Sequence, residues 1–234
     1  MDNASELRNR LALEVIGEPT QTMREYLSHF GGEANEFIDG LTHTAEVWER
    51  YGSVSPTKAD HKEALAFSGA YFLNAINAAL ISTRLLLSGY LIASGNQARQ
   101  AVESLAFGVL LPFPNTHAYR DWKAGHSIEH KSLERLAKNA VTCGLNQRAA
   151  QELAKQARWF DQCSHPSRLA VATLFDSSSE HGWQVGSSFV LERLPYYKKE
   201  IHNRVSLARV VGRTIVGTAT TLKKQGLIDP TSWR

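Results

Sequence analysis

Apolar residues recur every three or four positions along most of this chain, the spacing of helices rather than the alternation of strands. The strongest run is Lys62 to Leu87, where Leu65, Tyr71 or Phe72, Ile76, Leu80, Thr83 and Leu87 fall on one side. Its second half, AINAALISTRLLL, is apolar nearly all round and reads as a central buried helix. Arg84, with Asn74, Asn77, Ser82 and Ser88 along the run, argues against a membrane span. Ser88-Gly89 offers a break, and a second helix is expected through about Leu111, where Pro112 and Pro114 stop it.

Further helices are predicted at about 127–143 and 146–164, divided by Cys143-Gly144 as a C-terminal signal. Residues 176–189, rich in Ser and Gly, predict a loop with a short extended piece at Trp183–Val185. A long last helix is expected from about Tyr196 to Lys224, its stripe being Ile201, Val205, Ala208, Val211, Ile215, Ala219 and Leu222. Lys198, His202, Arg209 and Arg213 share a neighbouring face of that helix. The first 50 residues predict two or three shorter amphipathic helices, with breaks at Gly17–Thr20 and at Gly31-Gly32. The pattern therefore predicts an all-α, antiparallel helical bundle: an N-terminal helical extension over residues 1–60 and one compact unit over 61–234.

Composition adds little to this, since 43% apolar and 21% charged residues are ordinary for a globular chain. Charge adds more. Residues 1–60 hold 5 Lys/Arg against 11 Asp/Glu, whereas residues 61–234 hold 21 against 12. A basic body behind an acidic first quarter suits a phosphate-bearing partner, and suits equally an acidic segment lying over the basic body. Two cysteines, Cys143 and Cys163, make no Cys-x-x-Cys pair and no disulfide framework. With a polar, mixed-charge start, MDNASELRNR, this leads us to expect a reducing, cytoplasmic setting and no membrane.

Several motifs bear on chemistry. His126-Ser-Ile-Glu-His130 matches the His-x-x-Glu-His zinc signature, in which two histidines four apart share a helix face. No patterned third ligand accompanies it, Glu192 and Glu200 being merely available, so the expectation is a solvated helix start with no metal and no cofactor. Neither a Gly-x-Ser-x-Gly elbow nor a phosphate loop nor a Gly-x-Gly-x-x-Gly turn occurs. Cys163, two residues before His165, reads as a packing residue. Arg99 and Glu103 stand at i and i+4 on the second core helix, either as an ordinary surface pair or as a half-buried pair in need of partners. In ARWFDQCSHPSR, Arg158 and His165 lie seven residues apart, two helical turns, and Pro166 pushes His165 out of the helix.

The arrangement LLLSGYLIASGNQARQAVESLAFGVLL, an apolar helix, a Gly-Tyr turn and a helix carrying Arg-x-x-x-Glu, resembles bacterial proteins of the HEPN superfamily (higher eukaryotes and prokaryotes nucleotide-binding). Arg158-x6-His165 is similar to that superfamily's Arg-x(4–6)-His motif, and the likeness spans about residues 62–225. The resemblance implies a HEPN-like bundle, usually dimeric, some of whose members are metal-independent endoribonucleases of defence or toxin–antitoxin systems. Carried over, Arg158 and His165 are the catalytic pair, with Arg99, Glu103 and Asp161 as supporting polar residues. Trp159 stands where active members carry a polar residue, which leaves Asp161 as the nearest polar candidate. A histidine titrates near neutral pH and an arginine fork matches phosphate oxygens, so the pair suits RNA phosphate chemistry. Arg168, Arg209 and Arg213 are the expected phosphate-binding residues. RNA or a nucleotide and a second copy of the chain are the expected partners, with a catalytically silent dimeric interaction module as the alternative.

Overall fold

The computed structural model describes residue 12 and residues 17–126, 131–164, 171 and 186–233. Among these residues there are seven α-helices and no strand: α1 (Thr20–Gly52), α2 (Lys62–Leu87), α3 (Leu91–Leu110), α4 (Ala118–Lys123), α5 (Ser132–Asn139), α6 (Gln147–Ser164) and α7 (Leu194–Lys224). The predicted all-α bundle is what forms. Helices α2 and α3 are its centre, joined by a tight turn and packed along their length. α1 and α7 lie side by side against α2, while α5 and α6 close the bundle over α3.

The turn between α2 and α3 is the Ser88-Gly89 break, and Gly89 takes φ +81°, a left-handed conformation that glycine adopts without strain. A side chain there would also strike the backbone of Ser188. The start of α1 at Thr20 agrees with the break expected at Gly17–Thr20. The break expected at Gly31-Gly32 is instead a kink inside one helix, carried by Phe30 at φ −129° and ψ 22°. The helix resumes because Tyr26, Phe30, Ala34, Phe37, Thr44, Val47 and Tyr51 form one continuous buried seam, which outweighs two poor helix formers.

Within α2, Phe72, Ile76 and Thr83 are buried as expected, but Leu80 is exposed together with Ile81. Leu80 lines an apolar groove of about 420 Å³ between α1 and α2, beside Met23, Phe37, Ile38 and Leu87. Residues 59–87 are the one stretch among the described residues long and apolar enough to cross a membrane, at mean hydropathy 1.5. In the fold that stretch supplies the helix that packs against α1, α3 and α7. The loop expected after Pro114 contains the short helix α4, and the helix expected over 127–143 is described only as α5 and a following turn that ends at Gly144. The extended piece expected at Trp183–Val185 lies outside the described residues.

One buried charge ties four helices together. Arg204 of α7 is 1% exposed, on the apolar side of its helix between Ile201 and Ala208. Its Nε donates to Ser82 Oγ of α2 at 2.7 Å, its Nη2 to Ser94 Oγ of α3 at 3.0 Å, and its Nη1 to Glu200 Oε2 at 2.9 Å. Phe160 of α6 lies beneath the guanidinium, 4.9 Å from ring centroid to Cζ. The second Glu200 oxygen accepts from Trp159 Nε1 of α6 at 2.9 Å. Ser82 and Ser94 complete the arrangement reciprocally, each hydroxyl donating to the other's backbone carbonyl at 2.8 Å. A buried ion pair is tolerated only when its remaining donors and acceptors are matched in this way.

Removing one partner should therefore be far worse than removing both. Glu200→Leu or Arg204→Met alone is expected to cost about 3–5 kcal/mol, because each strands a buried charge. The double variant should recover most of that loss. Urea denaturation of the four proteins would show it; strictly additive losses would contradict the coupling.

Candidate functional site

Arg99 lies on α3 where that helix faces α6, and the bundle brings Asp161 of α6 to it. Arg99 Nε is 3.0 Å from Glu103 Oε1, one turn along its own helix, and 2.9 Å from Asp161 Oδ1 across the helix pair. The single Nε–H is directed at Glu103, where the hydrogen bond forms. Asp161 Oδ1 has no hydrogen-bond partner among the described residues, and charge attracts it to Arg99. The three side chains are between 28% and 38% exposed, which places the cluster at the edge of the core rather than within it. Water screens charges at that depth, so the cluster positions its helices more than it stabilises them.

The three residues read from sequence as supporting are thus together. Arg158 precedes Asp161 by one turn of α6; it is exposed and makes no ion pair among the described residues. α6 is described as far as Ser164; His165, the proline at 166 and Arg168 lie outside the described residues.

Trp159, the residue after Arg158, is held at both its ring and its N–H. Its indole N–H is bonded to Glu200, and Lys199 Nζ sits 3.8 Å from the centre of its ring. The indole reaches from α6 to the buried ion pair, while Asp161 is the polar group that faces α3.

Arg209 and Arg213 belong to another part of the molecule. They line a cleft of about 440 Å³ between α1 and α7, with Gly40, His43, Gly212 and Val216. Glu36 of α1 pairs with Arg209 at 3.0 Å. No described contact links this cleft to Arg158 or to the Arg99 cluster, so the bundle places the expected arginines in at least two regions.

Among the described residues no group of three or more His, Cys, Asp or Glu could hold a metal ion. His126 is exposed, and His130 lies outside the described residues. Glu200, one of the carboxylates available as a third ligand, is 2% exposed and committed to Arg204 and Trp159. Cys143 is fully buried, and burial pushes its thiol up to about 12, far from a nucleophile's range.

Sequence reasoning missed Arg204, Ser82 and Ser94, and passed over the bond from Trp159. The signal was available for the first: Arg204 interrupts an apolar stripe and follows Glu200 by four residues. Ser82 and Ser94 carried no comparable signal, because only the α2–α3 register brings them face to face.

In comparisons with known proteins, no family model, curated protein or solved structure matches this chain.

The Arg99 cluster makes a measurable claim about α6. Asp161→Ala and Arg99→Ala should each destabilise the fold by about 1 kcal/mol or less, as for other half-exposed pairs. In a double-mutant cycle the two should couple favourably, the coupling shrinking in 1 M salt as the charges are screened. A coupling of zero at low salt would show that Asp161 does not hold α6 to α3.

Proposed function

We propose that this chain is a HEPN-like protein that cleaves or binds RNA without a metal, through Arg158 and His165 at the C-terminal end of α6. The observation that carries the reading is the Arg99–Asp161 bridge. It ties the Arg-x-x-x-Glu helix, α3, to the helix that carries Arg158, and this supports the reading. Arg158 adds an exposed guanidinium one turn away, available to phosphate oxygens. Cleavage would need a base for the 2′-hydroxyl and a cation for the charge that grows on phosphorus, roles suited to His165 and Arg158. The exposed apolar residues Leu27, Ile38, Leu80 and Ile81 on α1 and α2 support a symmetric homodimer, as the resemblance implies.

A second reading, a catalytically silent dimeric interaction module, is favoured by Trp159. That side chain is engaged in packing, at the position where active relatives of this type carry a polar group.

The two readings differ in solution. If the first holds, wild-type protein cuts single-stranded RNA in EDTA and leaves a 2′,3′-cyclic phosphate. His165→Ala should abolish cleavage with melting nearly unchanged, and Arg158→Ala should slow it about 10²–10³-fold, as for other lost charge-stabilising donors. A panel of RNAs left uncut at high protein concentration selects the silent module, while cutting that persists in both variants moves the chemistry elsewhere. Light scattering at micromolar concentration should report twice the 26.0 kDa chain mass; a monomer alone would exclude the dimer.

A further inference from the structure

A third cleft, of about 190 Å³, opens where the turn Ala59–His61 meets the proline-rich end of α3. Its polar lining is Asp60, His61, His117, Tyr119 and Arg120, and its walls include Pro112, Phe113 and Pro114. It shares no residue with the Arg99 cluster or with the Arg209 cleft.

Two observations mark it. His61 Nδ1 is shielded from solvent and has no hydrogen-bond partner among the described residues, a rare state for a buried polar atom in a folded protein. His117 has φ 56° and ψ 8°, and no other non-glycine residue among those described has a positive φ. Such conformations are disfavoured for residues with a side chain, and persist where the surroundings enforce them.

The surroundings here do enforce it, and they do so from outside the cleft. Thr116 is buried, its hydroxyl 2.8 Å from the carbonyl oxygens of both Leu110 and Phe113. Arg135 of α5 grips the Thr116 carbonyl at 2.7 and 3.1 Å, and Asp121 Oδ2 of α4 at 2.6 Å. The residues on either side of His117 and Arg120 are therefore held before any ligand arrives, which is what a binding site requires of its supporting shell. At the rim Lys123 joins Glu63 at 2.6 Å and Tyr119 Oη at 3.3 Å, fixing Tyr119 as well.

The chemistry of the lining selects a ligand. Arg120 presents a planar fork of donors, and its side chain is 72% exposed, bonded among the described residues to Asp121 Oδ1 by two long contacts of 3.4 Å from Nε and Nη2. Two imidazoles add ring nitrogens able to donate to oxygen. This combination suits a phosphate group. Asp60 offers only acceptors, so it repels the phosphate itself and suits a ligand hydroxyl beside it. We propose that this cleft binds a small phosphomonoester carrying a neighbouring hydroxyl, with Arg120, His117 and His61 on the phosphate and Asp60 on the hydroxyl. The phosphomonoester could belong to a free sugar phosphate or to a nucleotide, and the site is independent of the RNA reading of α6.

Histidine-ring NMR of the full chain, titrated with ribose 5-phosphate, tests this directly. The His61 and His117 signals should shift saturably, while exposed His126 and His202 stay in place. Arg120→Gln, at an exposed position that the fold does not need, should weaken binding about tenfold, the worth of one charge-assisted bond. Asp60→Asn should remove the advantage of ribose 5-phosphate over inorganic phosphate. A nucleoside 5′-monophosphate that binds as tightly as ribose 5-phosphate assigns the group to a nucleotide, and weaker binding assigns it to a free sugar phosphate. The proposal is overturned if His61 and His117 do not move, if chloride at equal ionic strength moves them equally, or if Arg120→Gln binds like wild type. RNA cleavage by the same preparation, present or absent, bears on α6 alone.

Discussion

The constraint on which the rest depends is the burial of a guanidinium. An arginine inside a helical bundle is tolerable only if its donors are matched at once, and Arg204 meets that condition with an acid of its own helix and hydroxyls of two others. The requirement sets register. α2 and α3 must be close enough for Ser82 and Ser94 to exchange hydrogen bonds with each other's backbone, and small residues allow that approach. Ala75, Ala78, Ala79, Ala98 and Ala101 are all buried on these two helices. Gly108 is the extreme case, since a methyl group there would press into the ring of Phe72.

The same cluster orients α6. Phe160 lies under the Arg204 guanidinium and Trp159 bonds to Glu200, so consecutive aromatic residues anchor this helix to α7. Asp161, the next residue, reaches the other way to Arg99 on α3. With three successive side chains engaged, the rotation of α6 is settled, and Arg158 is turned to solvent. The candidate site is in this sense a by-product of core packing: the geometry that satisfies a buried charge also leaves Arg158 exposed. The stiff shell behind His117 follows a similar logic, because Arg135 closes two segments with one side chain from outside the cleft.

Much of the fold was legible from local pattern. The helices over 62–87, 91–110, 147–164 and 194–224 follow from apolar periodicity, from Gly89 and Gly144 as stops, and from prolines that cannot continue a helix. The kink at Phe30 was not, since Gly-Gly locally favours a break and only the long buried seam of α1 overrides it. Leu80 was misplaced for a related reason. Periodicity marks an apolar face without saying which parts of it a neighbour covers.

For the candidate chemistry the division is sharper. The sequence by itself determined that Arg99 and Glu103 share a helix face, that Arg158 and Asp161 lie one turn apart, and that no patterned metal ligand set accompanies His126 and His130. Those are relations within one helix or one turn, and backbone geometry alone carries them. Tertiary structure alone decided that Asp161 completes the Arg99 cluster, that Glu200 is consumed by Arg204 and Trp159, that Arg209 and Arg213 lie in a separate cleft, and that His61 faces the same cleft as His117. Apart from the Glu200–Arg204 pair, one turn apart on α7, these relations join residues tens of positions apart in the chain. Their meeting depends on how helices rotate and cross, and that is settled by packing and by the matching of buried polar groups, which no local spacing records.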